Sequence, residues 1–305
     1  MIVSNFFPSA NKKTDIHYME YVPEGEVSKT LIVAHGIGEH AGRYQEFAEK
    51  LNAKGISVFA IDFIGHGKSV GPDQKPMYFG ENGWDNLVED LISLNKIVKE
   101  KYPEIPCYVL GFSMGSFVLR TAMAERANEL HVDGTILAGT GNLAPFMANH
   151  VKKVVAGEAK KCGADNVSQK VNELAFGNYN KYFKPCQTEY DWLCSNADGI
   201  KSYIDDPMTN KFITPGMFMD LLGGMARVNR KSAIENSKKV PILFLTGEDD
   251  PVGVFVKGVK KVVRAFMDCN PDVDFEIYPN SRHDIFHDNN KEVVMSDIYM
   301  WMKEH

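Results

Sequence analysis

The chain has 305 residues, 44% hydrophobic and 24% charged, a globular composition that argues against disorder. A net charge of −6 gives nucleic-acid binding no electrostatic support. Five cysteines at irregular spacing, with no CxxC pair, argue against a disulfide framework or a zinc site and point to a reducing compartment. The first residues, MIVSNFFPSANKKTD, lack the basic-then-apolar order of a secretory signal, and no stretch approaches ~18 consecutive apolar residues. The expected setting is therefore the cytoplasm.

In chain order, residues 2–7 and 15–22 read as a pair of N-terminal strands. The β-branched run 30–34 reads as a buried parallel strand, followed by a helix near 42–54 and a strand at 56–61. A helix over 84–101 carries Leu87, Leu91, Leu94 and Val98 at helical spacing. Next come a short strand at 106–111, a helix from Met114 to Leu130, and a strand at 134–138. Between 141 and 234 the alternation stops, and the segment reads as mostly helix and loop, rich in Met, Asn and Lys. It resumes with a strand at 240–245, a helix at 255–268, a strand at 274–278 and a helix at 291–303. Repeated strand–helix units predict an α/β fold with a mostly parallel central sheet flanked by helices. Residues 1–140 and 235–305 would form one core. Residues 141–234 would form a cap inserted at the carboxyl ends of the strands, where such sheets bind ligands.

The most informative segment is Val109-Leu-Gly-Phe-Ser-Met-Gly-Ser116, a Gly-x-Ser-x-Gly frame between a strand and a helix. A serine at such a turn projects its hydroxyl out of the sheet, and Gly111 and Gly115 let strand and helix crowd together. Ser113 still needs an oxyanion site, an acid and a base. The loop Val33-Ala-His-Gly-Ile-Gly-Glu-His40 follows a strand, and the amides of Ile37 and Met114 are the candidate oxyanion donors. In Thr246-Gly-Glu-Asp-Asp-Pro251, Asp249 and Asp250 both qualify as the acid. Asp250 is favoured because Pro251 holds its backbone extended, and Asp249 reads as a turn or helix cap. His283 follows the last strand in a loop, where a general base belongs, while His287 reads as a packing or surface residue. The order Ser, Asp, His is that of the α/β-hydrolase fold. This constellation predicts hydrolysis of a carboxylic ester through an acyl-enzyme.

Two other readings compete with this one. Gly36-x-Gly38-x-x-Ala41 matches a dinucleotide fingerprint, with Asp62 placed to bind a ribose, which would make a nicotinamide-dependent oxidoreductase. A peptidase or amidase would use the same triad. Neither ester reading nor peptidase reading calls for a cofactor. No metal site is expected, because His35 and His40 flank a glycine loop and no HExxH is present. His66 reads as part of a structural loop.

Four segments together resemble the monoacylglycerol lipase and lysophospholipase branch of the α/β-hydrolases, also grouped with serine aminopeptidases. His35-Gly-Ile-Gly-Glu-His-Ala-Gly-Arg-Tyr44 is similar to that branch's H-G-x-G-E-H-x-x-R-Y, and Asp62-Phe-Ile-Gly-His-Gly-Lys-Ser69 to its D-x-x-G-H-G-x-S. Tyr203-Ile-Asp-Asp-Pro-Met208 resembles its Y-x-x-D-P-L, and Ile277-Tyr-Pro-Asn-Ser-Arg-His283 its histidine loop. The resemblance implies a small-molecule ester or lipid substrate. The elbow departs from the branch's G-H-S-M-G-G at Phe112 and Ser116, which puts glyceride preference in doubt and places Phe112 at the pocket floor.

In the cap, Leu143, Phe146, Met147, Val151, Val154 and Val155 share one helical face, with Lys152 and Lys153 off it. Such a stripe suits a lid in transient contact with a membrane surface, or a helix packed on the core. Met147, Met217 and Leu221 are expected pocket residues, within a Met-rich segment that could also be core. The sequence gives no oligomeric state.

Overall fold

The computed structural model describes all residues, Met1–His305. Its eight strands form one sheet in the order β1-β2-β4-β3-β5-β6-β7-β8. The N-terminal pair, β1 (Ile2–Pro8) and β2 (Asp15–Tyr21), is antiparallel, and β2 runs antiparallel to β4 (Ile56–Ile61). From β4 onward neighbours are parallel, through β3 (Lys29–Ala34), β5 (Cys107–Phe112), β6 (Gly134–Ala138), β7 (Ile242–Gly247) and β8 (Val273–Tyr278).

The central strands read as unbroken apolar runs because both faces are covered. Successive side chains point to opposite faces. Ile32, Phe59 and Val109 thus join one core, and Leu31, Val58 and Leu110 the other. The first core is closed by α2 (Gly83–Lys101), α3 (Met114–Glu125) and α9 (Lys257–Met267). The second is closed by α1 (Gln45–Asn52) and α10 (Lys291–Glu304). The edge strand β8 alternates instead, turning Asp274 and Glu276 outward, and such charge discourages pairing with another chain. The turn of the N-terminal pair is anchored on α2. There Asp90 accepts hydrogen bonds from Ser9 Oγ at 2.9 Å and the Ala10 amide at 2.8 Å.

Between β6 and β7 the chain contributes no strand. It forms α4 (Pro145–Cys162), α5 (Gln169–Phe176), α6 (Ala197–Asp205), α7 (Pro215–Val228) and α8 (Lys231–Glu235). No helix is long and apolar enough to cross a membrane.

Two helix boundaries and one helix face differ from the sequence reading. Helix α3 stops at Glu125 rather than Leu130, and the buried Leu130 reaches the core from a turn closed by its amide on Arg126 O at 3.0 Å. Helix α9 starts at Lys257 because Val254, Phe255 and Val256 hold positive φ. The stripe on α4 does not face one way: Val155 is buried, whereas Phe146 and Val154 are 72% and 48% exposed.

Candidate active site

Ser113 stands between the last residue of β5 and the first of α3, with φ 49° and ψ −114°. That region costs a non-glycine residue about 1–3 kcal/mol, and the surrounding contacts hold it there. The Ser113 amide donates to Ala138 O at 2.9 Å and the Gly115 amide to His35 O at 3.1 Å. Ser116 Oγ donates to Ser113 O at 2.6 Å, so the serine that departs from the related motif locks the turn. The glycines are required by crowding. A Cβ at Gly115 would lie 2.0 Å from Ala34 O, and one at Gly111 2.6 Å from Gly115 O.

The loop after β8 brings His283 to this serine. Ser113 Oγ and His283 Nε2 are 2.8 Å apart, and His283 Nδ1 lies 3.0 Å from Asp250 Oδ2. Asp250 ends the β7 turn with no exposed surface, and its other oxygen accepts the Val252 amide at 2.8 Å. An acid-bound Nδ1–H leaves the Nε2 lone pair facing the serine hydroxyl. The arrangement can therefore move a proton from Ser113 Oγ to His283. Burial opposes charging His283, but Asp250, Asp284 and Glu39 outweigh it and raise its pKa above the ordinary imidazole value. Asp249 is only partly buried, its amide donating to Ser281 O at 2.9 Å. Of the two candidate acids, the structure brings Asp250 to the histidine.

The loop after β3 is held from below by a carboxylate. Glu39 accepts from the Gly36 amide at 2.6 Å, Arg43 Nε at 3.3 Å and Tyr44 Oη at 3.3 Å. Arg43 Nη2 continues to Asp284 Oδ2 at 3.1 Å, beside His283. Opposing its burial, His287 and Arg43 hold the Asp284 carboxyl well below the usual range. His287 bridges Asp284 and Arg43 O, so it is a partly buried packing residue. Met114 opens α3, so its N–H has no acceptor within the helix. With the flanking Gly36, Ser113 and Gly115 amides committed, the amides of Ile37 and Met114 donate to no acceptor within the fold.

The residues 62–69 loop is structural. Asp62 accepts from His17 Nδ1, the Ala41 amide and the Lys68 amide at 2.7, 2.6 and 2.9 Å. His66 has no exposed surface, and burial beside His35 pushes its pKa down to about 3, so it is neutral. His35 accepts the Phe63 amide on Nε2 and donates Nδ1–H to Gly36 O. These bonds also remove the dinucleotide reading. The Gly36 amide and the Asp62 carboxylate, which would meet pyrophosphate and ribose, are already occupied inside the fold.

Above Ser113 lies a cavity of about 660 Å³. Ile37 and Phe112 line it with Ser113 and His283, and the Phe112 ring centre lies 5.1 Å from that of His283. The residue that replaces the related motif's histidine is thus packed beside the imidazole. Phe176, Trp192, Tyr203, Phe212 and Ile213 form much of the remaining wall. Trp192 lies 5.6 Å from the His283 ring and stacks on Phe176. Met147, Met217 and Leu221 do not line the cavity, contrary to expectation. Met217 and Leu221 turn into the core, 0% and 9% exposed, and Met147 is 43% exposed on the outer side of α4. Apolar spacing located these side chains on helices but carried no information on which neighbour each face would meet.

Sequence reasoning assigned no role to Glu39, Arg43, Asp284 or Trp192. The Glu39–Arg43 spacing was a visible i,i+4 pair. Nothing local tied Asp284 or Trp192 to it.

A strained serine between a parallel strand and a helix, followed in the chain by its acid and histidine, defines the α/β-hydrolase class. More narrowly, the chain belongs to the hydrolase family described as serine aminopeptidase, S33, which residues 25–290 match. The monoacylglycerol lipase of Mycolicibacterium smegmatis is 27% identical over 294 residues, covering 95% of this chain and 93% of the relative. The human monoglyceride lipase is 28% identical over 286 residues, covering 92% and 84%. Among solved structures, a thermostable carboxyl esterase from Bacillus coagulans, in complex with glycerol, has a TM-score of 0.91 at 27% identity, covering 99% and 98%. A soluble variant of monoglyceride lipase from Saccharomyces cerevisiae, with a substrate analogue, shares the fold with a TM-score of 0.80 at 18% identity, covering 100% and 95%.

Proposed function

We propose that this chain hydrolyses carboxylic esters of small lipids, monoacylglycerols and lysophospholipids foremost, through an acyl-enzyme on Ser113. The observation that carries the reading is the relay Ser113–His283–Asp250, at 2.8 and 3.0 Å, under a cavity of about 660 Å³. Ser113 Oγ attacks the ester carbonyl carbon as its proton passes to His283 Nε2. The amides of Ile37 and Met114 hold the oxyanion, each worth ~10²–10³ in rate. The tetrahedral intermediate expels the alcohol, which takes the proton from His283, and water then releases the acid by the same steps in reverse. Asp250 stays ionised and keeps Nδ1 protonated throughout.

The cavity's chemistry supports a lipid ester. Its loop side presents Glu39 and Asp284, which with Tyr203 of α6 suit a hydroxylated alcohol, and residues 141–234, acting as the cap, also present Phe176, Phe212 and Ile213 to an acyl chain. We extend the reading to transient contact with lipid surfaces. Exposed Phe146, Met147 and Val154 on α4 lie near Lys153 and Lys160, an apolar patch flanked by cations. The five unpaired thiols fit the cytoplasm as the setting.

The test is a substrate series of monoacylglycerols, lysophospholipids and p-nitrophenyl esters against amino-acid anilides, with fluorophosphonate labelling. Label on Ser113, lost in Ser113→Ala and His283→Ala, is expected, with esters preferred. Label on another serine, or turnover retained by Ser113→Ala, overturns the triad assignment, and preference for anilides overturns the ester assignment. Phe146→Glu should slow turnover of vesicle-borne substrate and leave p-nitrophenyl acetate untouched; unchanged vesicle turnover removes the lipid-contact reading.

A further inference from the structure

Arg120 lies on α3, about two turns beyond Ser113, and is 1% exposed. Its guanidinium has only neutral acceptors. Nη1 donates to Thr140 Oγ1 and Gly141 O, both at 3.2 Å. Nη2 donates to Val228 O at 3.1 Å and Asn229 Oδ1 at 2.7 Å. Nε has no partner, and the Phe117 and Phe266 rings lie 5.7 and 5.8 Å from Cζ. Burying a cation without a counter-charge costs several kcal/mol, and an apolar side chain would fill a purely structural site at less cost.

The four acceptors share a position in the chain. Residues 140–141 are where it leaves β6 for the helical insertion, and residues 228–229 are where it comes back from α7. Each amino group of the guanidinium takes one crossing. Asn229 closes the ring, donating through Nδ2 to Leu143 O at 3.1 Å. A planar fork with fixed donors can hold two strands of chain in one geometry, which a single ammonium cannot. Beyond the crossings, α4 and α7 pack on one another and α7 packs on α3.

We propose that Arg120 is a positioning residue that clasps both crossings of the cap to the nucleophile's helix, keeping the cap wall of the cavity in register with Ser113. The activity arm of its test rests on the hydrolytic reading above. The cap supplies Phe176, Trp192, Phe212 and Ile213 to the cavity, whereas the triad and oxyanion amides belong to the core. Loosening the clasp should therefore injure substrates that use the cap wall and spare those that do not.

The experiment compares Arg120→Lys with the unaltered chain by hydrogen exchange and on two esters. Exchange should rise together at residues 140–147 and 225–232, with β5 unchanged. The kcat/KM for a long-chain monoacylglycerol should fall about tenfold or more, while that for p-nitrophenyl acetate stays within about threefold. If Arg120→Lys fails to fold, Asn229→Ala removes one acceptor and the Leu143 tie, and should show the same pattern more weakly. Faster exchange at one crossing only, no change at either, or an equal loss on both esters overturns the proposal. If the unaltered chain hydrolyses neither ester, the hydrolytic reading fails while the exchange result still decides the clasp.

Discussion

Replacing Asp250 by Asn should disable the enzyme by controlling a tautomer. In the native site both carboxylate oxygens accept, Oδ1 from the Val252 amide at 2.8 Å and Oδ2 from His283 Nδ1–H at 3.0 Å. An asparagine offers only one accepting atom. If its oxygen keeps Val252, its NH₂ faces Nδ1 and forces the proton to Nε2, aimed at Ser113, where it can accept nothing. If the amide flips, the NH₂ meets the Val252 N–H, leaving a buried donor unpaired at about 1–3 kcal/mol. Both arrangements also forfeit the charge that stabilises the imidazolium. The expected loss in kcat is about 10³–10⁴, or 4–5 kcal/mol of barrier. Asp249→Asn should change the rate less than about threefold, since Asp249 makes no contact with His283. The assay is p-nitrophenyl acetate hydrolysis between pH 6 and 9, with thermal melts to show both variants folded. A folded Asp250→Asn enzyme within tenfold of native, or an Asp249→Asn enzyme that loses more, would refute the tautomer argument.

Three further expectations follow from the same contacts. His283 must be neutral to accept a proton, and its pKa is raised by Asp250, Asp284 and Glu39 against burial, so the acid limb of the kcat/KM profile should lie above pH 6.5. A limb below that value contradicts the electrostatic account. Burial pushes Asp90 up to about 7, so its share of stability is present below its ordinary value near 3.8 and is lost as pH rises to about 7. Asp90→Asn can keep the Ala10 and Ser9 bonds, and should remove that decline from urea midpoints measured between pH 4 and 8. Glu39→Gln presents an NH₂ group to Arg43 or to the Gly36 amide. Turnover should fall about tenfold, less than the 10²–10³ of losing an oxyanion donor outright, with about 1–3 kcal/mol lost in urea unfolding; unaltered kcat would separate Glu39 from the loop's function.

Much of the core was legible because its signals are local. The runs at β3 to β7 are apolar because both faces of a parallel sheet are covered, and that requirement is written residue by residue. Gly111, Gly115 and the serine between them are required by a turn too tight for side chains. The helical insertion was harder to read, because Met217 and Met147 have the same apolarity whether they meet core, cavity or solvent. One lies in the core and the other on the surface. The positive φ values at Val254, Phe255 and Val256 had no signal either, since β-branched and bulky residues usually avoid them.

The sequence by itself determined the parallel α/β core, the serine turn and the chain order of Ser113, Asp250 and His283, because strand burial and tight turns constrain residue type locally. The position of Asp250 before Pro251 already favoured it over Asp249, and the tertiary structure added its contact with His283; only the tertiary structure bound Glu39 through Arg43 to Asp284. It alone decided that the cavity wall is Phe176, Trp192 and Ile213 rather than the methionines of α7. These are contacts between segments far apart in the chain, and spacing within one segment carries no record of what another will place beside it.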